Sequence, residues 1–300
     1  MSWIKTNNFI YQNRAPKVPR NQLRIGSRTM NSDSATASTT NVVTSDRPVL
    51  LERDGDVGVL TMSLAPHNLV GRELSTALIS GLAHAVETGC RAIILRSNLR
   101  HFSAGADLSL FDNEGASFEE SLNPLGVLKA FDECPVPVVA SVHGVAVGGG
   151  FELALACDMI VAASSAKFGL VEATLGLHPL MGGIQRVVQR VGAARGKEIV
   201  MMGRRHDAAT LERWNIINRV VPESQLHELT LAFARELALG PTVAHGSTKR
   251  LVNIYLREGM VAADNAMSDV QKPIWKSRDL ERGLRSYREK GTGLAKFAGN

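Results

Sequence analysis

The sequence lacks long apolar runs and closely spaced cysteines. Its longest stretch without a charged residue, 134–151, contains two prolines, a histidine and four glycines. A helix that spans a membrane needs about 20 consecutive apolar residues without such interruptions. The three cysteines, Cys90, Cys134 and Cys157, are far apart in sequence. We therefore expect no membrane span, no disulfide framework and no four-cysteine zinc site, and we expect a reducing compartment such as the cytoplasm.

Acidic residues are missing from the first 30 positions, which contain six lysines and arginines. The whole chain has a formal net charge of +5, so residues 31–300 are close to neutral. A nucleic-acid surface requires basic residues that cluster on the folded part of a protein. We therefore expect no nucleic-acid partner. The alternative of another class is a non-catalytic or RNA-associated binding protein that uses the basic stretch.

Apolar periodicity is absent from residues 1–45, which we predict to be a disordered or targeting tail. Residues 31–45 are mostly short and polar, and such segments cannot bury enough surface to offset the entropy lost on ordering. The arginine-rich, acid-free residues 1–30 have the composition of an organelle transit peptide, which would place the protein in the mitochondrial matrix. The alternative is that Met30 is the true start, or that the residues before it are an unstructured extension.

Motifs for a bound nucleotide, a metal or a serine nucleophile are also missing. Gly148-Gly149-Gly150 lacks the third glycine of a dinucleotide fingerprint, and no GxxxxGK[ST] sequence occurs. Ser103 follows His101-Phe102, where a nucleophile elbow requires glycine two positions before the serine. The eight histidines show no metal-ligand spacing with one another or with cysteine. We therefore expect no metal site.

Alternating strand and helix patterns begin near Pro48. The pair Asp54-Gly55 lies between two apolar runs and predicts a hairpin, because it accepts the positive φ of a tight turn. Apolar residues at i, i+4 spacing predict a helix over 71–88. Further apolar runs predict buried strands at 92–97, 136–142, 159–164 and 220–222, with helices between them near 123–133, 149–156, 184–191 and 208–215. Strands that alternate with helices indicate an α/β core over 46–240.

The pattern becomes purely helical and densely charged after Gly240-Pro241. Residues 241–300 are therefore predicted to form a C-terminal helical region. Its apolar positions give it a face that a thin helical layer cannot bury alone. This face is predicted to pack on the core of the same chain or on a neighbouring subunit.

Two segments place backbone amides where a ligand could reach them. The first is 102–108, which follows the predicted strand at 92–97, and the second is 143–152, which follows the strand at 136–142. In each, small residues leave N–H groups uncovered at the start of a predicted helix, where the helix dipole is positive. Two such turns side by side would form an oxyanion hole. The alternative is that the small residues only allow tight packing between strand and helix.

These residues resemble the crotonase superfamily, the enoyl-CoA hydratase/isomerase family. The similarity includes FSAGADL at 102–108, HGVAVGGGFELALACDMIVAA at 143–163, GGIQR at 182–186 and SRDLERG at 277–283. Several motifs in the family order extend over most of 48–300. The resemblance implies an α/β fold with a crotonase-like ββα spiral core, followed by a C-terminal helical region that supports homotrimers or hexamers.

The resemblance implies four catalytic positions. The amides that bind the thioester oxygen in this family fall on Ala106 and Gly149, and its two glutamates fall on Glu152 and Glu172. Preorganised amides stabilise the negative charge that develops on a thioester oxygen as it becomes an enolate. Water addition across a conjugated double bond needs one group that activates water and another that exchanges a proton. The sequence supports Glu152 independently, because an acid at the start of an otherwise apolar helix would be a costly buried charge, or else a helix cap.

The resemblance also implies an acyl-CoA thioester substrate and no separate cofactor, since coenzyme A is part of that substrate. The residues expected to contact it are Ala104, Asp107, Leu108, Gly148 and Leu180, with Lys249 near the nucleotide phosphates. An ordinary solvated lysine is the alternative for Lys249.

The sequence departs from the family pattern at three places. Leu180 and Met181 replace small residues near the acyl end, which should change the length or shape of the pocket. Residues 68–71 read Asn-Leu-Val-Gly where the family has an Asn-Ala-Leu segment. Asn215 stands where glycine is usual, a replacement that a positive φ still accepts.

The implied reaction is the hydration of a 2-enoyl-CoA in fatty-acid or related acyl-CoA degradation. The alternative with the same fold is a Δ3,Δ2-enoyl-CoA isomerase or another crotonase-type acyl-CoA enzyme.

Overall fold

The computed structural model describes residues 47–111 and 123–300, all of which belong to one compact unit. The predicted tail, residues 1–45, lies outside the described residues. Nine strands occur in the described ranges, together with nine helices that are each longer than four residues. The strands are β1 Val49–Asp54, β2 Val57–Met62, β3 Ala92–Ser97, β4 Val138–Val142, β5 Val145–Val147, β6 Met159–Ala163, β7 Lys167–Gly169, β8 His206–Asp207 and β9 Arg219–Val221. The helices are α1 Arg72–Glu87, α2 Pro124–Glu133, α3 Gly149–Ala156, α4 Gly183–Met202, α5 Ala208–Arg213, α6 Leu226–Leu239, α7 Thr242–Glu258, α8 Met260–Trp275 and α9 Arg278–Lys290.

The main sheet has six strands in the order β1-β2-β3-β4-β6-β9. Strand β1 is antiparallel to β2, and the remaining neighbours are parallel. Every residue of β2 and β4 is buried, as expected for parallel strands covered on both faces. The predicted hairpin is confirmed, with Gly55 at a φ of 58° in the turn that joins β1 and β2.

Helices cover the two faces of this sheet. On one face, Val57, Val59 and Ile94 pack against Ala234 and Ala238 of α6. Strand residues of the opposite face belong to the larger core, together with α1 and α3; they include Leu60, Ile93, Leu95 and Ala140. Because successive side chains of a strand point to opposite faces, the alternation of Ile93, Ile94 and Leu95 supplies both layers.

The second sheet was not expected from the sequence. It contains β5, β7 and β8, with β5 parallel to β7 and β7 antiparallel to β8. These strands have two or three residues each, which is too short for an apolar pattern to show. Strand β5 lies inside 143–152, so the turn that opens α3 follows β5 and not β4.

The helix predicted at 184–191 is longer than expected. Helix α4 continues to Met202 through Gly192, which has a φ of 77° and kinks the helix. Residues after Gly240 are helical, in α7, α8 and α9, as predicted. No helix in the described part of the chain is long and apolar enough to cross a membrane.

Candidate functional site

A cavity of about 370 Å³ opens between the segments 102–108 and 143–152 and the start of α4. It brings together the sequence-predicted site residues except Lys249. Its lining consists of Leu69, Val70, Ala104, Gly105, Ala106, Asp107, Leu108, Ser109, Gly148, Gly149, Glu152, Val171, Glu172, Leu175, Leu177, Leu180 and Met181. Most of these side chains are apolar, and the two glutamates are the exception together with Asp107 and Ser109.

The second segment, 143–152, places the first turn of α3 at the cavity. Gly148 has φ 51° and ψ −129°, a conformation that glycine adopts readily and other residues rarely do. A Cβ on Gly150 would lie 2.6 Å from the Cβ of Ser103, so a side chain there would push the two segments apart. The glycines therefore allow the turn of α3 to lie directly against the segment 103–106.

The first segment is held between Val70 and β5. The N–H of Val70 donates to the Gly105 carbonyl at 2.8 Å, and the N–H of Asp107 donates to the Val70 carbonyl at 3.1 Å. In this parallel bridge, the N–H of Ala106 points away from Val70. Ser103 forms a similar bridge with Ala146 on the other side.

The expectation that this first segment opens a helix is wrong in one respect. Residues 98–101 separate it from β3, and a four-residue 3₁₀ turn, Leu108–Phe111, begins at its last residue. So short a turn carries little dipole, because the dipole grows with the number of aligned peptide groups. Among the residues that the structure describes, the positive end of a helix at this cavity therefore comes from α3 alone.

Two unpaired amides lie next to each other in the cavity. The N–H groups of Ala106 and Gly149 have no hydrogen-bond acceptor within the described residues. Gly149 is the first residue of α3, where an N–H has no partner within the helix. A Cβ on Gly149 would lie 3.5 Å from the Ala106 nitrogen, so the two groups are close enough to share one ligand atom. Two fixed N–H donors at this separation could both donate to one negatively charged oxygen atom.

Glu152 is 2% exposed and held in place by the start of α4. Its Oε1 accepts hydrogen bonds from the N–H groups of Met181 and Gly183, both at 2.8 Å. A Cβ on Gly183 would lie 2.8 Å from the Glu152 Cγ, so glycine is needed for this approach. Burial raises the pKa of Glu152 to about 7, and the nearby Glu172 adds to the rise, while the two amides oppose it. Glu152 can therefore hold or release a proton near neutral pH.

Glu172 begins the 3₁₀ turn Glu172–Leu175 on the other side of the cavity. Its Oε2 is buried and has no hydrogen-bond partner among the described residues. Burial raises the pKa of Glu172 as well. A Cβ on Gly148 would lie 3.3 Å from the Glu172 Oε1, which places this carboxyl group beside the turn that carries Gly149. Two carboxyl groups with raised pKa values thus share a cavity with the two free amides.

The remaining wall of the cavity is apolar. Leu180 and Met181, which replace small residues of the family pattern, line it as expected. Sequence reasoning did not find Leu69, Val70, Val171, Leu175 and Leu177. They come from segments far apart in the chain, and no local spacing marks them.

Lys249 is not brought to this cavity. Its Nζ lies 2.8 Å from Asp158 Oδ2, and the same oxygen accepts the N–H of Val138 at 2.7 Å. Lys249 lines a different cavity, of about 820 Å³, beside Pro135 and Val136. Within one chain, α7 places Lys249 where it pairs with an acidic side chain, and its contact with nucleotide phosphates stays a prediction.

No group of three or more His, Cys, Asp or Glu side chains that could hold a metal ion occurs in residues 47–111 and 123–300.

Comparisons with known proteins agree with this geometry. The family model for enoyl-CoA hydratase/isomerase matches residues 52–297. A Rhizobium meliloti protein named probable enoyl-CoA hydratase is 32% identical over 246 residues, which are 80% of this chain and 94% of that protein. The mouse enoyl-CoA hydratase domain-containing protein 2, mitochondrial, is 36% identical over 206 residues, 67% of each chain. A crystal structure of an enoyl-CoA hydratase subunit from Geobacillus kaustophilus has a TM-score of 0.78 at 30% identity, covering 84% of this chain and 98% of that one.

Proposed function

Because the chain belongs to the enoyl-CoA hydratase/isomerase family and has the crotonase fold, we propose that it adds water to the double bond of a 2-enoyl-CoA thioester. The family makes the chain an enzyme of the crotonase superfamily that acts on acyl-CoA thioesters. The finer assignment as a hydratase depends on the chemistry of the cavity.

One observation carries this proposal: the unpaired N–H groups of Ala106 and Gly149 lie beside two buried carboxyl groups in one cavity. A thioester oxygen placed between the two amides would accept hydrogen bonds from both. When water adds at C3, the electron pair of the double bond moves toward this oxygen and an enolate forms. Fixed donors in an apolar cavity stabilise that charge more than they stabilise the neutral thioester.

The two glutamates supply the acid and the base. The water oxygen bonds to C3, its proton passes to a carboxylate, and a carboxylic acid delivers a proton to C2, so the elements of one water molecule are added. Glu152, whose Oε1 is fixed by two amides, has Oε2 free to hold the water. Glu172, with an unpaired Oε2, is suited to exchange the proton at C2. The raised pKa values of Glu152 and Glu172 allow one of them to be protonated near neutral pH.

Substrate contacts follow from the lining of the cavity. Ala104, Asp107 and Leu108 lie along the edge next to Ala106, where the arm of coenzyme A would pass, and Gly148 lies at the turn between them and α3. Leu180 and Met181 would contact the acyl group. No cofactor beyond the coenzyme A of the substrate is proposed.

The experiment is to follow the conjugated enoyl-thioester absorbance of crotonyl-CoA and longer homologues after mixing with the full-length protein. We expect a rapid loss of absorbance. Glu152→Gln and Glu172→Gln should each lower kcat by about 10²–10⁴-fold, the range that a general acid or base supplies. In Glu152→Gln, the amide oxygen can still accept the N–H groups of Met181 and Gly183, so the site keeps its shape.

The matched control is Glu133→Gln, an exposed glutamate at the end of α2 that lies outside this cavity. It should leave the rate unchanged. If a folded protein binds the thioesters and changes none of them, the hydratase proposal is wrong.

The second candidate reaction is isomerisation of a 3-enoyl-CoA to a 2-enoyl-CoA. The unpaired Oε2 of Glu172 favours it, because one carboxylate can move a proton from C2 to C4 while the amides hold the enolate. An increase in conjugated absorbance from a 3-enoyl-CoA, retained in Glu152→Gln and lost in Glu172→Gln, would support the isomerase over the hydratase.

A homotrimer or hexamer is proposed for the assembly, and the cytoplasm, or alternatively the mitochondrial matrix, for the location. Size-exclusion chromatography with light scattering tests the first, and fractionation of expressing cells tests the second.

A further inference from the structure

Asn68 lies beneath the segment that carries the Ala106 amide and is completely buried. It has a φ of 49°, which asparagine tolerates better than most residues. Its side chain does not line the cavity and does not reach a reacting atom. We propose that Asn68 is a positioning residue that aims the N–H of Ala106 at the thioester oxygen; the inference rests on the proposed function.

The Asn68 side chain uses its amide hydrogens and its oxygen on three different partners. Its Nδ2 donates to Ser97 Oγ at 2.8 Å and to the Phe102 carbonyl at 3.1 Å. Its Oδ1 accepts the N–H of Leu64 at 2.8 Å. These bonds tie three segments together: the residues before Asn68, the end of β3 and the start of the segment that contains Ala106.

The backbone on either side of Asn68 continues this connection. The N–H of Ala104 donates to the His67 carbonyl at 3.0 Å, and the Ser103 hydroxyl donates to the Asn68 carbonyl at 2.7 Å. Together with the two bonds of Val70, these contacts form a short parallel pairing of 67–70 with 103–107. The pairing turns Asp107 and Gly105 toward Val70 and leaves Ala106 facing the cavity.

The direction of the Ala106 N–H therefore depends on where the segment 67–70 lies, and the Asn68 side chain fixes that segment. Ala106 follows Gly105, which has a φ of 110°, and no helix among the described residues fixes Ala106 in the way that α3 fixes Gly149. Displacement of a catalytic group by about 1 Å can cost about 10²-fold in rate. Loss of the Asn68 side chain should accordingly lower catalysis more than it lowers substrate binding.

The test is Asn68→Gly, which keeps a residue that accepts the positive φ and removes only the side chain. The matched control is Asn215→Gly, a second asparagine with a positive φ of 61°, which is exposed and lies outside the cavity. We expect kcat to fall by roughly 10- to 100-fold in Asn68→Gly with little change in KM, and to stay at the level of the unmodified protein in Asn215→Gly.

A second readout measures the hydrogen bonds that the thioester carbonyl accepts. A para-dimethylaminocinnamoyl thioester of coenzyme A absorbs at longer wavelength when its carbonyl accepts hydrogen bonds, and its extended conjugation disfavours addition of water. We expect the red shift of the bound probe to shrink in Asn68→Gly and to be retained in Asn215→Gly. Because the shift is measured on the bound thioester before water adds, this readout does not depend on the hydratase activity. Absence of a red shift in the unmodified protein would count against the oxyanion hole itself.

If Asn68→Gly does not fold, Ser103→Ala replaces it. This variant removes the hydroxyl that connects the Asn68 carbonyl and the Gly105 N–H, and alanine fills the same space. The proposal is overturned if Asn68→Gly, or Ser103→Ala where that variant replaces it, folds and keeps both kcat and the red shift. It is also overturned if KM rises while kcat and the red shift stay the same.

Discussion

The two ends of helix α3 are both polar and buried, but they differ in how their polar groups are paired. At the N-terminal end, the Gly149 N–H is unpaired, and Glu152 faces a second carboxyl group. At the C-terminal end, Arg190 Nη2 donates to the carbonyls of Leu155 and Cys157, at 3.1 and 3.2 Å.

Asp158, two positions after the last residue of α3, also has its polar groups paired. Asp158 pairs with Lys249 and accepts a backbone N–H. Cations at a helix C-terminus satisfy its last carbonyls and interact favourably with its dipole. Burial of charge alone therefore does not distinguish a catalytic site from a structural one. A single unpaired group does not either, since Arg190 Nη1 at the C-terminal end also lacks a partner. The N-terminal end differs because its unpaired amides and its two carboxyl groups lie in one cavity, where a ligand can complete them.

The largest expected effect comes from removal of one donor at the N-terminal end. Gly149→Pro replaces the amide hydrogen by the Cδ of the proline ring at the first helical position, where proline is well accepted, so the donor is lost and its place is filled by an apolar group. We expect a loss of transition-state stabilisation of about 3–4 kcal/mol, or about 10²–10³-fold in kcat, as for other oxyanion-hole donors. Gly149→Ala, which retains the N–H and whose Cβ would make only ordinary contacts, should lose far less. Equal rates in the two variants would remove the Gly149 amide from the mechanism.

The next effect is the pH dependence of stability at the same end. Burial raises the pKa of Glu152 to about 7, against 4.5 for an ordinary glutamate. Between these values the unfolded chain has lost the proton and the folded chain keeps it, so the contribution of Glu152 to the free energy of unfolding falls as pH rises from about 4.5 to 7 and is constant above.

Glu152→Gln removes this dependence. Relative to the unmodified protein, the variant should gain up to about 3 kcal/mol between pH 4.5 and pH 7. Urea unfolding at several pH values measures the difference. A constant difference across the range would show that Glu152 titrates normally.

A smaller effect is expected at the C-terminal end. Lys249→Met leaves Asp158 without its cation and should lower the free energy of unfolding by about 2–3 kcal/mol. This is below the ~3–5 kcal/mol of a fully buried pair, because the Asp158 side chain is 23% exposed. The kcat of the folded variant should not change.

The double variant Lys249→Met with Asp158→Asn is the control, since it removes both charges and keeps an oxygen for the Val138 N–H. It should recover most of the lost stability. A raised KM for acyl-CoA without a loss of stability would instead support the phosphate contact first expected for Lys249.

The smallest expected effect is on the preference for the length of the acyl chain. Leu180→Ala should raise kcat/KM for longer 2-enoyl chains relative to crotonyl-CoA by about 10-fold, which is the discrimination that one or two methylene groups provide. Leu239→Ala, at an exposed position outside the cavity, should not change the preference. If both variants keep the preference of the unmodified protein, Leu180 does not contact the acyl chain.

The sequence predicted those parts of the molecule that have a local pattern. The strands at 92–97 and 159–164 and the helix at 149–156 are confirmed because their apolar runs have the length and spacing of buried elements. Glu152 stood out because an acid at the start of an apolar helix is rare without a purpose.

The remaining parts depend on contacts between distant segments. Strands β5, β7 and β8 form only because residues near 146, 168 and 206 meet in space, and no two- or three-residue run predicts this. The buried hydrogen bonds of the Asn68 side chain could not be predicted either, because an asparagine in a sequence suggests only a turn. The ion pair of Lys249 could not be predicted for the same reason, because its neighbours in sequence say nothing about Asp158, which lies 91 positions earlier.

The measurement that tests the central claim most directly is the reaction of crotonyl-CoA in water enriched in heavy oxygen, followed by mass spectrometry of the thioester product. The account predicts one heavy oxygen atom per 3-hydroxyacyl product, formed rapidly by the unmodified protein and far more slowly by Gly149→Pro, while folded Lys249→Met retains the full rate. A product without heavy oxygen, or equal losses in Gly149→Pro and Lys249→Met, would contradict it.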